Sequence, residues 1–333
     1  MKPLPAIASA CSPARAGLLG LLLLTSLVAA AEVEDPAERR LQQARHILDR
    51  EGPEAAAERL QALADRYPGS EPAAAALWEL FRLHEATGRH RAAFDALDDL
   101  VTRQPGHFAR AHAQQLLLVR RQLAVAERRT LPAKRSDAAP VAAHEVVAML
   151  ARIVLNGPHA ETGIQARYWL GLALERAGRA DEARAQYEEF TELHAGHELA
   201  DDAGFQAASI AYRKWRSMQG GAPRDRERAA VLLSWFLARY PGSDKAAQAR
   251  AMQAELNLAE QRELASLAGF YEQRGDDRAA AVYYRQLALK FPGLAMEGSP
   301  LRERIAGALE AQADVRTPAA EVVGPRRADA GEP

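Results

Sequence analysis

The chain writes RYPGS twice, at residues 66–70 and again at 239–243, and an alanine-rich run follows each copy. Looser versions of the same joint stand at RQPGH, ending at His107, at LHAGH, ending at His197, and at KFPGL, ending at Leu294. Proline cannot continue a helix, and glycine tolerates a positive φ, so an amphipathic run that ends this way stops and reverses. Ser70 and Ser243 are then placed to cap the following helix by accepting a backbone N–H. A joint copied this often constrains the chain to helices packed on helices.

Composition agrees with that constraint. Hydrophobic residues make up 48% of the 333 residues and charged residues 26%, while aromatics are only 6%. Alanine, leucine, arginine and glutamate dominate, and such residues lose little rotamer freedom in a helix. An all-α protein is expected. The formal net charge of -1 supplies no global field toward nucleic acid, which is not an expected partner.

A second kind of break lies between the joints, at Gly88 in HEATGRHRAAFDAL, Gly178 in ERAGRADEARAQY and Gly275 in EQRGDDRAAAVYY. One repeat is thus a helical hairpin of roughly 34 residues, the period of the tetratricopeptide repeat. In RYWLGLALERAGRADEARAQYEEF, Leu170, Gly171, Gly178, Ala183, Tyr187 and Phe190 resemble that repeat's small and bulky positions. The resemblance implies an all-α fold, an α-solenoid of tetratricopeptide-type helical hairpins. Small side chains at Gly171 and Ala183 let two helices approach, with Trp169, Leu170, Tyr187 and Phe190 filling the space around the crossing. Ala93 and Ala268 with Ala280 repeat the arrangement, whereas Phe81 is bulkier than its position calls for.

Residues 1–31 read as an export signal, with an uncleaved N-terminal anchor as the alternative: Lys2 and Arg15 precede the apolar run Gly17–Ala31, and Ala29 with Ala31 supplies a small-x-small cleavage pattern. Cys11, the single cysteine, precedes that run, so it is not placed as a lipid acceptor. Cleavage after Ala31 leaves no cysteine, and with it no disulfide, thiol nucleophile or thiolate metal site. The expected organisation continues with an N-terminal repeat lobe at 32–128, a polar linker at 129–140, a C-terminal lobe at 141–315 and a disordered tail at 316–333.

Within the C-terminal lobe, residues 234–293 resemble the outer-membrane protein assembly factor BamD (YfiO-like) family. Glu263, Ala268, Tyr271, Arg274, Gly275, Ala279, Ala280, Tyr284, Phe291 and Pro292 match its acidic start, tyrosine, RG turn, paired alanines and closing aromatic-proline. The resemblance implies a periplasm-facing, non-enzymatic binding scaffold in the machine that folds β-barrels into the outer membrane. Its implied partners are proteins, namely unfolded or extended polypeptide on the N-terminal repeats and the barrel-assembly subunit on the C-terminal ones. Two features depart from that family: no cysteine follows the apolar run, and a linker divides the lobes. Non-lipidated periplasmic repeat scaffolds for cell-wall or division proteins share the looser pattern and give the alternative function.

No G-x-S-x-G, G-x-x-x-x-G-K or H-E-x-x-H motif occurs, so neither catalysis nor a cofactor is expected. A cell-wall-active enzyme would need a further compact domain, and no segment is left over to form one. His194 and His197 with Glu192 and Glu198 form the best metal candidate, but they occupy a joint and read as a variant hinge; no metal is expected. The basic run Arg120, Arg121, Arg128, Arg129, Lys134 and Arg135 reads as a solvated helix end and linker, with a contact to an acidic surface as the alternative. Groove-facing candidates for partner binding come from the first helix of each hairpin: His84, Arg167, Leu174, Leu264 and Tyr271, the last with a core position as its alternative. Arg274 joins them because an arginine beside a glycine turn projects outward.

Overall fold

A computed structural model describes residues 35–128, 141–217, 222–296, 299 and 301–316. The apolar N-terminal run, Cys11, the linker at 129–140 and the tail beyond Arg316 lie outside the described residues. Thirteen α-helices and no strand are present among the described residues. In order they are α1 (Pro36–Glu51), α2 (Pro53–Arg66), α3 (Glu71–Ala86), α4 (His90–Arg103), α5 (Phe108–Arg128), α6 (Ala143–Asn156) and α7 (Glu161–Arg176). There follow α8 (Ala180–Leu193), α9 (Ala200–Ser217), α10 (Pro223–Arg239), α11 (Ala246–Gln273), α12 (Asp277–Lys290) and α13 (Arg302–Arg316). The fold is all-α, an α-solenoid type built of tetratricopeptide-type hairpins. Among the described residues no helix is long and apolar enough to cross a membrane.

The two kinds of break seen in the sequence are two different turns. At Gly88, Gly178 and Gly275 the backbone enters the left-handed region, with φ of 71°, 75° and 74°. In each, the N–H beyond the glycine reaches back to the last full helical turn: Arg89 to His84 O, Arg179 to Leu174 O and Asp276 to Tyr271 O, at 2.8, 2.9 and 3.0 Å. The glycine's own N–H closes the inner bond, to Glu85, Glu175 and Glu272 respectively. This paired closure satisfies carbonyls that a helix end leaves open, and only a residue without Cβ enters the left-handed region cheaply.

The joints between hairpins work otherwise. The residue before the proline donates to the carbonyl four back, Tyr67 to Leu63 and Tyr240 to Phe236, and its own carbonyl then accepts from Ser70 and Ser243. Of the joint glycines only Gly69 takes a positive φ, 83°. Gly157-Pro158-His159-Ala160 makes the same turn, with Ala160 N–H donating to Gly157 O, and it is a joint the sequence pattern did not reveal. Ser70 caps α3 through Ala73 N–H at 3.3 Å, as expected. Ser243 does not cap in that way: α11 begins later, at Ala246, and the Ser243 hydroxyl donates to Asp201 at 2.9 Å while accepting from Lys245 N–H.

The chain divides into two compact units, residues 1–163 and 164–333. In the first, α1 to α6 form successive hairpins. α6 falls in this unit, whereas the sequence grouped it with the C-terminal lobe, and the packing gives the reason. Val146, Met149, Leu150 and Ile153 are buried on it, and Ile153 O meets the buried His112 Nε2 of α5 at 2.8 Å. Asp98 on α4 then ties α6 down, accepting from Arg152 at 3.0 Å, Asn156 at 2.7 Å and Gln115 of α5 at 3.3 Å. At the opposite end Arg40 and Arg59 of the first hairpin stand where the second hairpin buries Ala76 and Ala96, a polar outer face of the kind that ends a stack.

In the second unit the expected crossing is present. Gly171, Ala183, Tyr187 and Phe190 are fully buried or nearly so, and a Cβ built on Gly171 would lie 2.6 Å from Tyr187 Cε1. Further along, Phe205, Leu233 and Phe236 join α9 to α10, and Ala268, Ala280, Tyr284 and Ile305 join α11, α12 and α13. α10 begins at Pro223, with PRDRE as its first turn. α13 closes the cluster of α11 and α12 with Ile305 and Ala308.

Candidate peptide-binding surfaces

In the first unit α1, α3 and α5, the first helices of their hairpins, line one groove. Arg45, Trp78, Glu79, Arg82, Arg110 and Gln114 bound a cavity of about 370 Å³ there. Helical spacing places these residues: Trp78 and Arg82 are four apart on α3, as are Arg110 and Gln114 on α5, so each pair shares a face. The ring of Trp78 is held from three directions. Its indole N–H donates to His107 Nδ1 at 3.3 Å, Phe81 meets it edge-on at 6.1 Å, and the Arg110 guanidinium lies 4.4 Å above it. Since Nδ1 accepts that bond, His107 carries its proton on Nε2, which faces Glu71 at 3.5 Å.

The charges of this groove are unequally satisfied. Glu79 is held by Arg45 at 2.6 Å, a bond that raises the guanidinium further above its usual value, and Glu85 by Arg121 at 2.5 Å. Arg82 and Arg110, both exposed, have no acidic partner among the described residues. Trp78, Arg82 and Arg110 escaped the sequence reading, because charge alone does not distinguish a paired arginine from an unpaired one. The signal that was available is an aromatic followed four residues later by arginine on a hairpin's first helix.

The second unit presents another surface at the end of α11. Arg274 is exposed, as expected, and its guanidinium lies 4.4 Å over the ring of Phe270, which is itself 45% exposed. Phe270 is a residue the sequence did not single out. Tyr271, left open between groove and core, is half-buried and stacks on Tyr283 at 5.5 Å with 9° between the planes.

The remaining candidates sit elsewhere. Leu174 and Leu264 are 4% and 8% exposed, so they pack into the core and do not face a groove. Leu264 packs in one cluster with Ala280, Tyr284 and Leu287 of α12. Arg167 is likewise not presented to a groove: its side chain is 15% exposed and its guanidinium is tied to Glu189 of α8 at 2.6 Å. His84 is half-buried, and burial with the nearby Arg89 lowers its pKa below the usual value. His84, Leu174 and Tyr271 prove to be equivalent positions, since each offers the carbonyl that closes a glycine turn.

At the LHAGH joint His194 N–H donates to Phe190 O, His197 Nδ1 accepts from Leu199 N–H at 3.0 Å, and both rings pack on Phe190. The arrangement is a hinge. Among the described residues no group of three or more metal-ligating side chains converges.

A tetratricopeptide repeat family model matches residues 165–197, which span α7, α8 and the joint after them. Among solved structures, a tetratricopeptide repeat protein from Parabacteroides merdae is 12% identical over 82% of this chain and 97% of its own, with a TM-score of 0.31. PilF of Pseudomonas aeruginosa is 15% identical over 81% and 96%, with a TM-score of 0.30. PilW, a type IV pilus biogenesis factor, is 13% identical over 82% and 100%, with a TM-score of 0.25. No curated protein sequence matches the chain significantly.

Proposed function

We propose that this chain is an exported, non-enzymatic scaffold that brings proteins together during outer-membrane or envelope protein assembly, as the BamD-like pattern at 234–293 implies. The repeat fold supports a protein-binding role, and the apolar run Gly17–Ala31 supports export. One observation carries the reading further: Arg274 and Phe270 form an exposed cation–aromatic pair at the end of α11, inside the segment with the family-like pattern. An arginine stacked on a ring keeps its in-plane N–H donors open for a partner carboxylate, and the ring offers apolar area beside it. This pair docks a folded partner, the barrel-assembly subunit, while the groove of the first unit takes extended polypeptide.

The test places a photo-crosslinking amino acid at Phe270 in the full chain and irradiates cells of the native host. Adducts with an outer-membrane barrel-assembly subunit are expected, and Arg274→Glu on a separate chain lowers capture of that subunit without changing the melting temperature. Adducts that contain no envelope-assembly protein sink the assignment.

A further inference from the structure

Resting on the reading of the chain as a protein-binding scaffold, we infer that the groove of the first unit selects an extended segment that carries carboxylates. Its acidic side chains meet Arg82 and Arg110, and a neighbouring apolar side chain lies against Trp78. Three observations converge on this occupant. Arg82 and Arg110 line one cavity and have no acidic partner among the described residues, although the other arginines of that face are spent, Arg45 on Glu79 and Arg121 on Glu85. The Arg110 guanidinium carbon lies 4.4 Å over the Trp78 ring, and no carboxylate among the described residues takes its N–H donors, which suit one. The third observation is the fixed ring: Trp78 is braced by His107 and Phe81, so it presents an apolar surface that costs little ordering on binding.

The groove's lining also argues for peptide over a polyanion. Two open cations stand beside Glu79, which is too little positive charge to hold a phosphate backbone or an anionic bilayer, whose binding rests on many basic contacts. Gln114 brings a side-chain amide, which can both donate to and accept from a peptide backbone. Glu79 does not repel the incoming carboxylate strongly, because Arg45 already neutralises it at 2.6 Å.

The experiment measures fluorescence anisotropy of three labelled peptides against the purified full chain: alternating Glu and Leu, the same peptide with Gln for Glu, and the same with Lys for Glu. The Glu peptide is expected to bind about tenfold more tightly than the Gln peptide, the size of one charge-assisted bond, with a difference that shrinks as salt is added. Arg82→Glu abolishes that preference and turns it toward the Lys peptide, and Arg110→Gln reduces it. Both side chains are exposed, so heat melts of the two variants should overlay the parent; a variant that melts early is replaced by Arg82→Gln. Failure of the Glu peptide to bind, equal binding of the Glu and Gln peptides, or an unchanged preference in Arg82→Glu overturns the inference. Binding to phosphatidylglycerol vesicles that Arg82→Glu removes, with no peptide preference, overturns it equally. Loss of the charge preference with the Phe270 crosslinks intact removes only this inference, whereas the converse result removes the placement in envelope assembly and leaves the groove's chemistry standing.

Discussion

Gly171 and Gly269 invite the same substitution with opposite results. Each lies inside a long helix, α7 and α11, and neither has a positive φ. A Cβ at Gly269 meets nothing within 4 Å, so Gly269→Ala gains the helix propensity alone, about 0.5–1 kcal/mol. At Gly171 the new methyl would stand 2.6, 2.8 and 2.9 Å from three atoms of the Tyr187 ring. That ring is fully buried and flanked by Tyr168 at 5.7 Å, so it has no solvent to move into. Overpacking of this kind costs roughly 1–3 kcal/mol, and subtracting the same propensity gain leaves Gly171→Ala destabilised by up to about 2.5 kcal/mol. For a unit of this size that is a fall of up to roughly 10 °C, against a rise of roughly 1–4 °C for Gly269→Ala. Gly171→Leu adds more atoms to the same crossing and falls further. Calorimetric melts of the three variants decide the matter. If Gly171→Ala melts with or above Gly269→Ala, the helices do not cross at Gly171 and the assigned hairpin is wrong.

Asp98→Ala leaves Arg152, Asn156 and Gln115 without their shared acceptor, whose side chain is 14% exposed, and should cost roughly 2–4 kcal/mol; amide exchange should accelerate first in α6. Alkali should unfold the second unit because burial pushes the Tyr168 hydroxyl up from 10.0 to about 12. A raised folded-state pKa means stability complete below about pH 10 and lost as pH climbs toward 12, since the unfolded chain releases its proton first. Tyr168→Phe should make that loss shallower without abolishing it, because burial also raises the Tyr187 hydroxyl. Intact-mass analysis of protein from its native host should find a chain that begins near Glu32 and carries no lipid; a diacylglyceryl adduct on Cys11 would overturn that placement.

Helix bounds were legible because their signals are local. A proline-glycine pair ends a helix by removing a donor and admitting a bend, and α2, α4, α10 and α12 each end on the first residue of such a joint, at Arg66, Arg103, Arg239 and Lys290. The same letters did not fix which glycine needs the left-handed region. That depends on how the chain leaves the turn, and the structure assigns it to Gly52, Gly69, Gly88, Gly178 and Gly275 while Gly106, Gly196, Gly242 and Gly293 do without it. Grouping of α6 was illegible for a different reason: the contacts that hold it to the first unit, from Asp98 and His112, join residues 41 to 58 positions apart across the linker. Partner-facing residues were the least legible. Periodicity places a side chain on a face, but whether that face meets solvent depends on which helix packs over it, and Leu174 and Leu264 were covered while Phe270 was not. Arginine raises the same difficulty in charge. Arg167 and Arg82 look alike in sequence, yet Glu189 lies 2.6 Å from the first, and no carboxylate among the described residues answers the second. An acid on the neighbouring helix decides whether an arginine holds the fold or waits for a partner, and that is why the groove of the first unit emerges from the unpaired cations rather than from any motif.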